Sequence, residues 1–266
     1  RFTVGRTESM ELNTDFLISY DKTLNNDWGF NINVGGNARK NRNSSLSSNT
    51  GSSLIVPNFF SLANTLRVVS VHGLGPTVPT GGIVVAGPKD VNSLYAFGQL
   101  SWKNAVFFDV TARNDWSSTL PRDNWSFFYP SFGLNAVVCE LATFPQWFSF
   151  AKVRGSFAEV GNDTNPFQLQ RTTTLAAGGI GGYLSIDANL PNQDLLPETT
   201  RSIEVGADLR FLDNRVGLDF TYYKTNSFDQ LFTVALPVGS GASAFFTNGG
   251  DVQNKGVEVM LTLTPI

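Results

Sequence analysis

Apolar and polar residues alternate with a period of two along much of the chain, most clearly over Arg201–Phe211. Successive side chains of a β-strand point to opposite faces, so this pattern predicts a strand with one apolar and one polar face. The same pattern resumes after a short Leu-Asp-Asn sequence, over Val216–Tyr223, which predicts an antiparallel hairpin. In Arg201–Phe211 the two sets are Ile203, Val205, Ala207, Leu209 and Phe211 against Ser202, Glu204, Gly206, Asp208 and Arg210.

Comparable segments recur and give about nine predicted strands, several near the ~9–11 residues with which a tilted strand crosses a bilayer. No long window shows the 3.6-residue period and the capping residues of a helix. Aromatic residues, which suit a pleated surface, make up 12% of the chain and favour an all-β fold. The other predicted strands are Asp15–Tyr20, Trp28–Asn37, Leu94–Trp102, Val106–Asn114, Ser131–Val138, Trp147–Val160 and Val257–Thr264.

The connections between these strands alternate between short and long. A compact soluble domain has no reason to place its long loops at one end, whereas outer-membrane barrels have short periplasmic turns and long external loops. The alternation therefore predicts an antiparallel transmembrane β-barrel segment. The short connections are Asp21–Asp27, Ser101–Ala105, Cys139–Gln146 and Leu212–Arg215, and the long ones are Ala38–Val91, Asp115–Phe127, Gly161–Thr199 and Asn226–Asp251.

Aromatic residues concentrate at both ends of the predicted strands. Rings at two levels are typical of the interfacial girdles of a membrane barrel, although strand ends are aromatic-rich in many β proteins. We predict a girdle of Trp28, Trp102 and Trp147 on the short-turn side and of Phe128, Tyr129 and Tyr222 on the loop side.

Polar and charged residues lie opposite the apolar stripe on most predicted strands. In a barrel they would line a wet lumen, and in a soluble sandwich they would face solvent; alternation alone does not distinguish the two. The set comprises Asp109, Thr111, Arg113, Asn135, Lys152, Arg154, Glu204, Asp208, Arg210 and Asp219.

The sequence carries little that points to catalysis, a cofactor or a metal. With one cysteine, Cys139, and one histidine, His72, it has no internal disulfide and no multi-histidine metal site, and nothing near His72 resembles a nucleophile elbow. We therefore predict no enzyme activity, no catalytic or metal-binding residue and no cofactor. The net charge of −3 without a basic run excludes nucleic acid as a partner.

The ends of the sequence indicate a piece of a longer protein. No apolar run approaches the ~18 residues of a transmembrane helix. The opening RFTVGRTES has no signal-peptide pattern and is typical of a strand inside a domain.

Two features leave their roles open. Trp116 and Trp125, in the aromatic stretch WSSTLPRDNWSFFYP, would either stack on a ligand or pack their loop against its neighbours. The group Asn162, Asp163 and Asn165 would either hold Ca²⁺ through oxygen atoms or form an Asx-turn before Pro166, and the turn is favoured.

Four stretches resemble segments typical of the SusC/RagA-type TonB-dependent transporters of Bacteroidetes outer membranes. The second of them, KVRGSFAEVGND, matches K-(L/V)-R-(A/G)-S-(Y/F)-A-x-V-G-N-D throughout. The resemblance is close from about Leu94 onward and weak before it. In chain order the blocks are Thr111–Pro121 with Phe128–Ser131 (first), Lys152–Asp163 (second), Asn192–Glu198 with Ile203–Gly206 (third) and Asn248–Glu258 (fourth).

The resemblance implies a 22-stranded barrel with an N-terminal plug, of which residues 1–266 form a part without the plug and the remaining strands. It implies TonB-dependent import of oligosaccharides or peptides across the outer membrane of a Gram-negative cell. Its implied partners are a SusD-like lipoprotein, membrane lipid and the TonB complex, the last bound through N-terminal parts absent from this sequence. A passive porin and a soluble carbohydrate-binding β-sandwich are the alternatives.

Overall fold

The computed structural model describes residues 2–25, 27–50, 54–65, 69–73, 88–171, 173–176 and 183–264. Nine long strands follow one another as an antiparallel meander, each hydrogen-bonded to the next long strand of the sequence, in one sheet. They are β1 (Thr3–Thr23), β2 (Trp28–Asn49), β4 (Lys89–Trp102), β5 (Val106–Ser117), β6 (Ser126–Val137), β7 (Phe148–Asn162), β11 (Glu198–Phe211), β12 (Val216–Ala235) and β13 (Ala244–Leu263). The antiparallel barrel-type architecture and all nine predicted strands are thereby confirmed.

Short elements decorate this sheet at its loop end. Strand β3 (Val69–Gly73) pairs with β2, and β10 (Asn189–Leu190) pairs in parallel with β13. A separate hairpin consists of β8 (Thr173–Ala176) and β9 (Tyr183–Ile186). The helical elements among the described residues are two single 3-10 turns, Val138–Glu140 and Val238–Ser240. No described helix has the length and apolarity to span a membrane.

The strands are longer than the sequence pattern indicated. Strand β2 has 22 residues, and β12 and β13 have 20 each, well beyond the ~9–11 that cross a bilayer. The prediction of a long loop over Asn226–Asp251 is wrong, because β12 and β13 stay paired up to Ala235 and Ala244. Backbone hydrogen bonds continue the ladder there, where the apolar–polar alternation has ended.

One rung of the β12–β13 ladder is interrupted. Phe228 pairs with Asp251 and Gln230 with Gly249, while the intervening Asp229 and Gly250 do not pair. Both have positive φ angles, 53° and 80°, a backbone conformation that glycine adopts without steric cost. The same register resumes beyond the interruption, so the upper part of the hairpin is a distinct segment built on the same two strands.

The sheet carries its apolar residues on one exposed face and has almost no apolar interior. Ile18 is 70% exposed and Val259 is 63% exposed, although both are aliphatic. Cross-strand partners share a face, and Ile18 pairs with Val34 and Val259 with Phe220. A continuous apolar outer face of this kind suits contact with lipid, and it excludes a sandwich in which a second sheet covers the apolar side.

Candidate functional site

The opposite face of the sheet is polar and would line the lumen of a barrel. Strand register places all the residues predicted for this face together on it. Asp109, for example, accepts hydrogen bonds from Gln99 (2.7 Å) and Asn135 (3.3 Å) on the two neighbouring strands. We call this surface the lumen wall.

Two arginines of the lumen wall are each paired with a carboxylate. The Arg113 guanidinium donates to Asp115 over 2.7 Å and to the Ser93 hydroxyl over 2.9 Å. Arg154 donates two hydrogen bonds, 2.8 and 2.9 Å long, to the Asp219 carboxylate, and a third to the Thr221 hydroxyl. Fork-shaped arginine–carboxylate pairs fix orientation as well as charge. The wall therefore offers hydrogen bonds in an ordered array.

Aromatic rings form clusters at the short-turn end of the outer face. Trp28 and Trp102 are cross-strand partners with ring centroids 6.2 Å apart. Trp147 stacks on Phe211 at 5.9 Å, and its ring remains exposed. This arrangement agrees with the predicted girdle, whose contact with a membrane interface remains a prediction.

On the loop side, the three residues predicted for the girdle do not share one face of the sheet. Phe128 pairs with Asn114 on the outer face and is 59% exposed, and Tyr222 pairs with the outward Val205 and Val257. The girdle assignment of Tyr129 is wrong. Its ring lies on the lumen wall opposite Arg113, and its hydroxyl donates to Asp115 over 2.7 Å. The Phe-Phe-Tyr run contains no polar residue that would mark the positions facing the lumen, so the sequence did not reveal which ring points outward.

The two tryptophans of the first block also differ. Trp116 lies in strand β5, on the outer face with Asn114, and not in the loop as predicted. This position counts against contact with a ligand in the lumen. Trp125 does lie in the loop between β5 and β6, is 39% exposed, and has the Arg122 guanidinium 5.7 Å from its ring centroid. Its ligand role stays a prediction.

At the loop end of the lumen wall, the first and second blocks meet around one carboxylate. Asp163 forms an ion pair with the Lys89 ammonium and accepts a hydrogen bond from the Ser117 hydroxyl. Its side chain is 9% exposed and that of Lys89 is 20% exposed. Both carboxylate oxygens are thus engaged, which favours a structural role over the Ca²⁺ hypothesis. The described residues contain no cluster of His, Cys, Asp or Glu that would hold a metal.

The third block is fastened to the first and fourth. The Asn124 amide donates to the Leu195 carbonyl over 3.2 Å. Asn248 accepts from the Leu196 backbone N–H and donates to its carbonyl, both over 2.8 Å, and also donates to the Asp229 carbonyl over 2.8 Å. Leu195 is fully buried. One asparagine side chain thus joins the loop before β11 to the interrupted rung of β12 and β13.

Glu198, at the start of β11, completes these connections. Its carboxylate accepts from the Leu231 backbone N–H over 2.7 Å and from the Asn162 amide over 3.0 Å. The second and third blocks are thereby linked to each other and to the upper part of β12. We call the set Lys89, Ser117, Asn124, Asp163, Glu198 and Asn248 the loop-base network. These contacts join residues far apart in the sequence and leave no local pattern in it. The one sequence signal is that five of the six residues lie in or next to the family-like blocks.

Beyond the network, the strands β2 and β4 carry an exposed ion pair. Arg42 contacts Asp90 over 2.5 Å, and its hydrogen bond holds the pKa of the Asp90 carboxyl below its ordinary value. The pair borders a groove of about 590 Å³ that Met10, Pro88 and Phe167 help to line. His72 lies in β3, where the backbone is described but the side chain is outside the described part.

Comparison with known proteins identifies the family. The model described as TonB dependent receptor-like, beta-barrel matches residues 2–264. TonB-dependent receptor P3 of Formosa agariphila is 30% identical over 199 residues, covering 67% of this chain and 19% of that protein. TonB-dependent receptor P26 of the same organism is 26% identical over 203 residues, covering 73% of this chain and 20% of that protein. The chain therefore spans about a fifth of the length of these curated relatives.

Solved structures share the fold. The RagAB peptide transporter matches with a TM-score of 0.84 at 18% identity, covering 97% of this chain and 28% of that one. The RagAB importer in its open-open state matches with a TM-score of 0.75 at 20% identity, with the same coverage of 97% and 28%. Because the family model matches nearly the whole sequence, this chain belongs to the TonB-dependent receptor β-barrel family, whose place is the outer membrane of Gram-negative bacteria.

Proposed function

We propose that the intact protein imports a nutrient across the outer membrane in a TonB-dependent manner. In this proposal the present chain forms one side of the barrel and the base of its external loops. The plug and the remaining strands, which residues 1–266 do not include, complete a 22-stranded barrel.

The observation that carries the proposal is the position of the loop-base network directly above the lumen wall. Four family-like blocks, separated by tens of residues, converge there through side chains such as Asp163 and Asn248. Fixed loop bases hold the loops over the mouth of the barrel, and ligand capture by loops on a rigid scaffold is a common arrangement. A lumen wall without the loop-base network would form a pore but would not position a ligand.

The paired charges of the wall favour an uncharged or zwitterionic substrate. Arg113 is paired with Asp115 and Arg154 with Asp219, so these groups present hydrogen-bonding atoms without an unbalanced charge. Oligosaccharides and peptides both fit this description. RagAB, which shares the fold, is a peptide transporter. We propose Trp125 as a ligand contact, because a half-exposed ring beside a guanidinium suits stacking on a sugar or a side chain.

The proposed partners follow from the same geometry. A SusD-like lipoprotein would cover the loops above the network and retain the substrate. The TonB complex would act through N-terminal parts outside this chain. Neither partner contributes bond chemistry, and we assign no catalytic residue.

The test is uptake by whole cells that carry the intact receptor. Labelled oligosaccharides and peptides would be supplied to cells with and without TonB, and to cells whose receptor carries Trp125→Ala. Trp28→Ala serves as the control, since it removes a tryptophan of the outer face at the opposite end of the sheet. We expect uptake of one substrate class to require TonB and to fall with Trp125→Ala but not with Trp28→Ala.

Two results would contradict this proposal in different ways. Uptake that persists without TonB would establish the passive porin alternative. TonB-dependent uptake that is unaffected by Trp125→Ala would leave import intact and remove Trp125 from the binding site. Amounts of folded receptor in the membrane, measured by heat-modifiable gel migration, must be equal in all strains.

A further inference from the structure

The outer face of the last three long strands changes from apolar to cationic at one level. On β12 the outward residues run through Leu218, Phe220 and Tyr222 and then reach Lys224. On β13 the outward series reaches Lys255, which pairs directly with Lys224 across the ladder. The outward series of β11 likewise passes from apolar residues to Arg201. Strand β2 shows a similar step, from Ala38 to Lys40, and there Asp90 on β4 lies directly opposite the lysine.

The level of this step corresponds to the upper edge of an apolar band. Lys224 lies eight residues beyond Val216, where β12 leaves its short turn. At about 3.3 Å per residue and a tilt of roughly 40°, that distance gives a rise of about 20 Å. An apolar band in this class of barrel is ~25 Å tall. The ammonium groups, on flexible stems, therefore reach the headgroups of the outer leaflet.

Nothing in the described part of the chain neutralises the two lysines. Arg201 has its own partner, Glu159, at 2.7 Å. Asp251 lies four residues beyond Lys255 and accepts a hydrogen bond from Asn226. Lys224 and Lys255 form no ion pair or hydrogen bond with any described residue. Like charges directly opposite each other on neighbouring strands destabilise a sheet, and an anion between them removes that penalty.

We propose that Lys224 and Lys255 bind the phosphate group of an outer-leaflet lipid. The site combines two ammonium groups with an apolar wall directly below them, formed by Tyr222 and Val257. A phosphorylated lipid presents the complementary chemistry, with a phosphate above and acyl chains below. The proposal rests on the membrane location of the chain and not on the identity of the imported substrate.

The experiment uses the intact receptor, purified in detergent and stripped of bound lipid. Binding of phosphorylated lipid A and of its chemically dephosphorylated form is measured by native mass spectrometry and by titration. The test variant is Lys224→Gln with Lys255→Gln. The matched control, Lys22→Gln with Lys103→Gln, makes the same charge change beside the short turns, and Lys224→Arg with Lys255→Arg retains the charge.

We expect the wild type, the matched control and the arginine variant to prefer phosphorylated lipid A. The glutamine variant should lose that preference, with affinity for the phosphorylated form roughly thirtyfold lower for two lysines. Dephosphorylated lipid should bind all four proteins equally weakly.

Equal binding of both lipid forms by the wild type would overturn the proposal. So would an unchanged preference in the glutamine variant, as would loss of binding with the matched control. Displacement of the lipid by millimolar inorganic phosphate would also contradict it, because the site would then take a free anion. Heat-modifiable migration of each variant verifies that the barrel is folded.

Discussion

The two ends of the same sheet are held together by different kinds of interaction. At the short-turn end, hydrogen bonds close over three residues, from Ala105 N–H to the Trp102 carbonyl and from Arg215 N–H to the Leu212 carbonyl. Aromatic rings add contacts between adjacent strands. At the loop end, Ser117 reaches Asp163 over 46 residues of sequence and Lys89 reaches it over 74.

This difference indicates how each end forms and how each fails. Each short turn closes within one hairpin, and each ring stack needs only two adjacent strands, although Trp28–Trp102 and Trp147–Phe211 join strands that long connections separate in the sequence. The short-turn end therefore forms as neighbouring strands pair. The loop-base network requires several strands in place, because its buried polar groups find their partners on distant segments. Its members are therefore the more sensitive to substitution, since each leaves another buried polar group unpaired.

The largest expected effect is that of Asp163→Ala, which leaves the largely buried Lys89 ammonium without its ionic partner and with only the Thr164 carbonyl, 3.3 Å away, to accept from it. Breaking such a pair destabilises a protein by about 3–5 kcal/mol. The measurement is the urea midpoint of the intact receptor in lipid vesicles, with the exposed Asp123→Ala as the control. Equal midpoints for the two variants would show that the loop-base network adds no stability.

A smaller loss is expected for Asn248→Ala, which removes three hydrogen bonds that join β11 to the hairpin of β12 and β13. The carbonyl and N–H groups left behind reach water in part, so we expect about 1–3 kcal/mol. Hydrogen exchange should accelerate within residues 230–249 and stay unchanged below the interrupted rung. Asn226→Ala, which removes two exposed hydrogen bonds, is the control. The same exchange pattern in both variants would refute the fastening role.

At the short-turn end, Trp147→Leu should cost about 1 kcal/mol, because the stacked pair with Phe211 is lost while most of the ring is already exposed. Urea midpoints in vesicles and in detergent measure the effect. A loss as large as that of Asp163→Ala would erase the contrast between the two ends.

The smallest effect concerns pH. The Asp90 pKa is lower in the folded protein than the value of about 3.9 in an unfolded chain. The pair with Arg42 therefore stabilises the protein fully above that unfolded value, and its contribution disappears as the pH falls through the folded pKa. Urea midpoints of wild type and Asp90→Asn should differ near neutral pH and converge once the pH falls below the folded pKa of Asp90. A difference that persists in acid would assign the effect to packing.

Sequence alone revealed the strands where lipid and lumen impose opposite requirements on alternate residues. The surface that a residue faces determines whether it is apolar, as in Val205 and Leu218, or charged, as in Glu204 and Asp219. Above the membrane both faces meet water, so the polar run from Lys40 to Asn49 and the upper β12–β13 hairpin gave no alternation although their backbones are paired. There the pairing depends on backbone hydrogen bonds, which form whatever the side chains are and therefore leave no pattern in the sequence.

The candidate site was predictable in its location but not in its contacts. The family-like blocks marked Ser117, Asp163 and Asn248 as part of a shared pattern. Which of them meet depends on strand order and register over long separations, which periodicity does not encode. Tyr129 illustrates the same difficulty within a single strand. A shift of one position along the strand decides whether a ring faces lipid or faces Asp115, as that of Tyr129 does.

The interrupted rung at Asp229 and Gly250 has an evolutionary consequence. Pairing resumes above it in unchanged register, and the segment beyond is pinned laterally by Glu198 and Asn248. Residues from 232 to 247 can therefore be exchanged for another hairpin tip without shifting which side chains below face lipid or lumen. The rung divides the two strands into a transmembrane part, where lipid and lumen constrain alternate residues, and an external part that is free of this constraint.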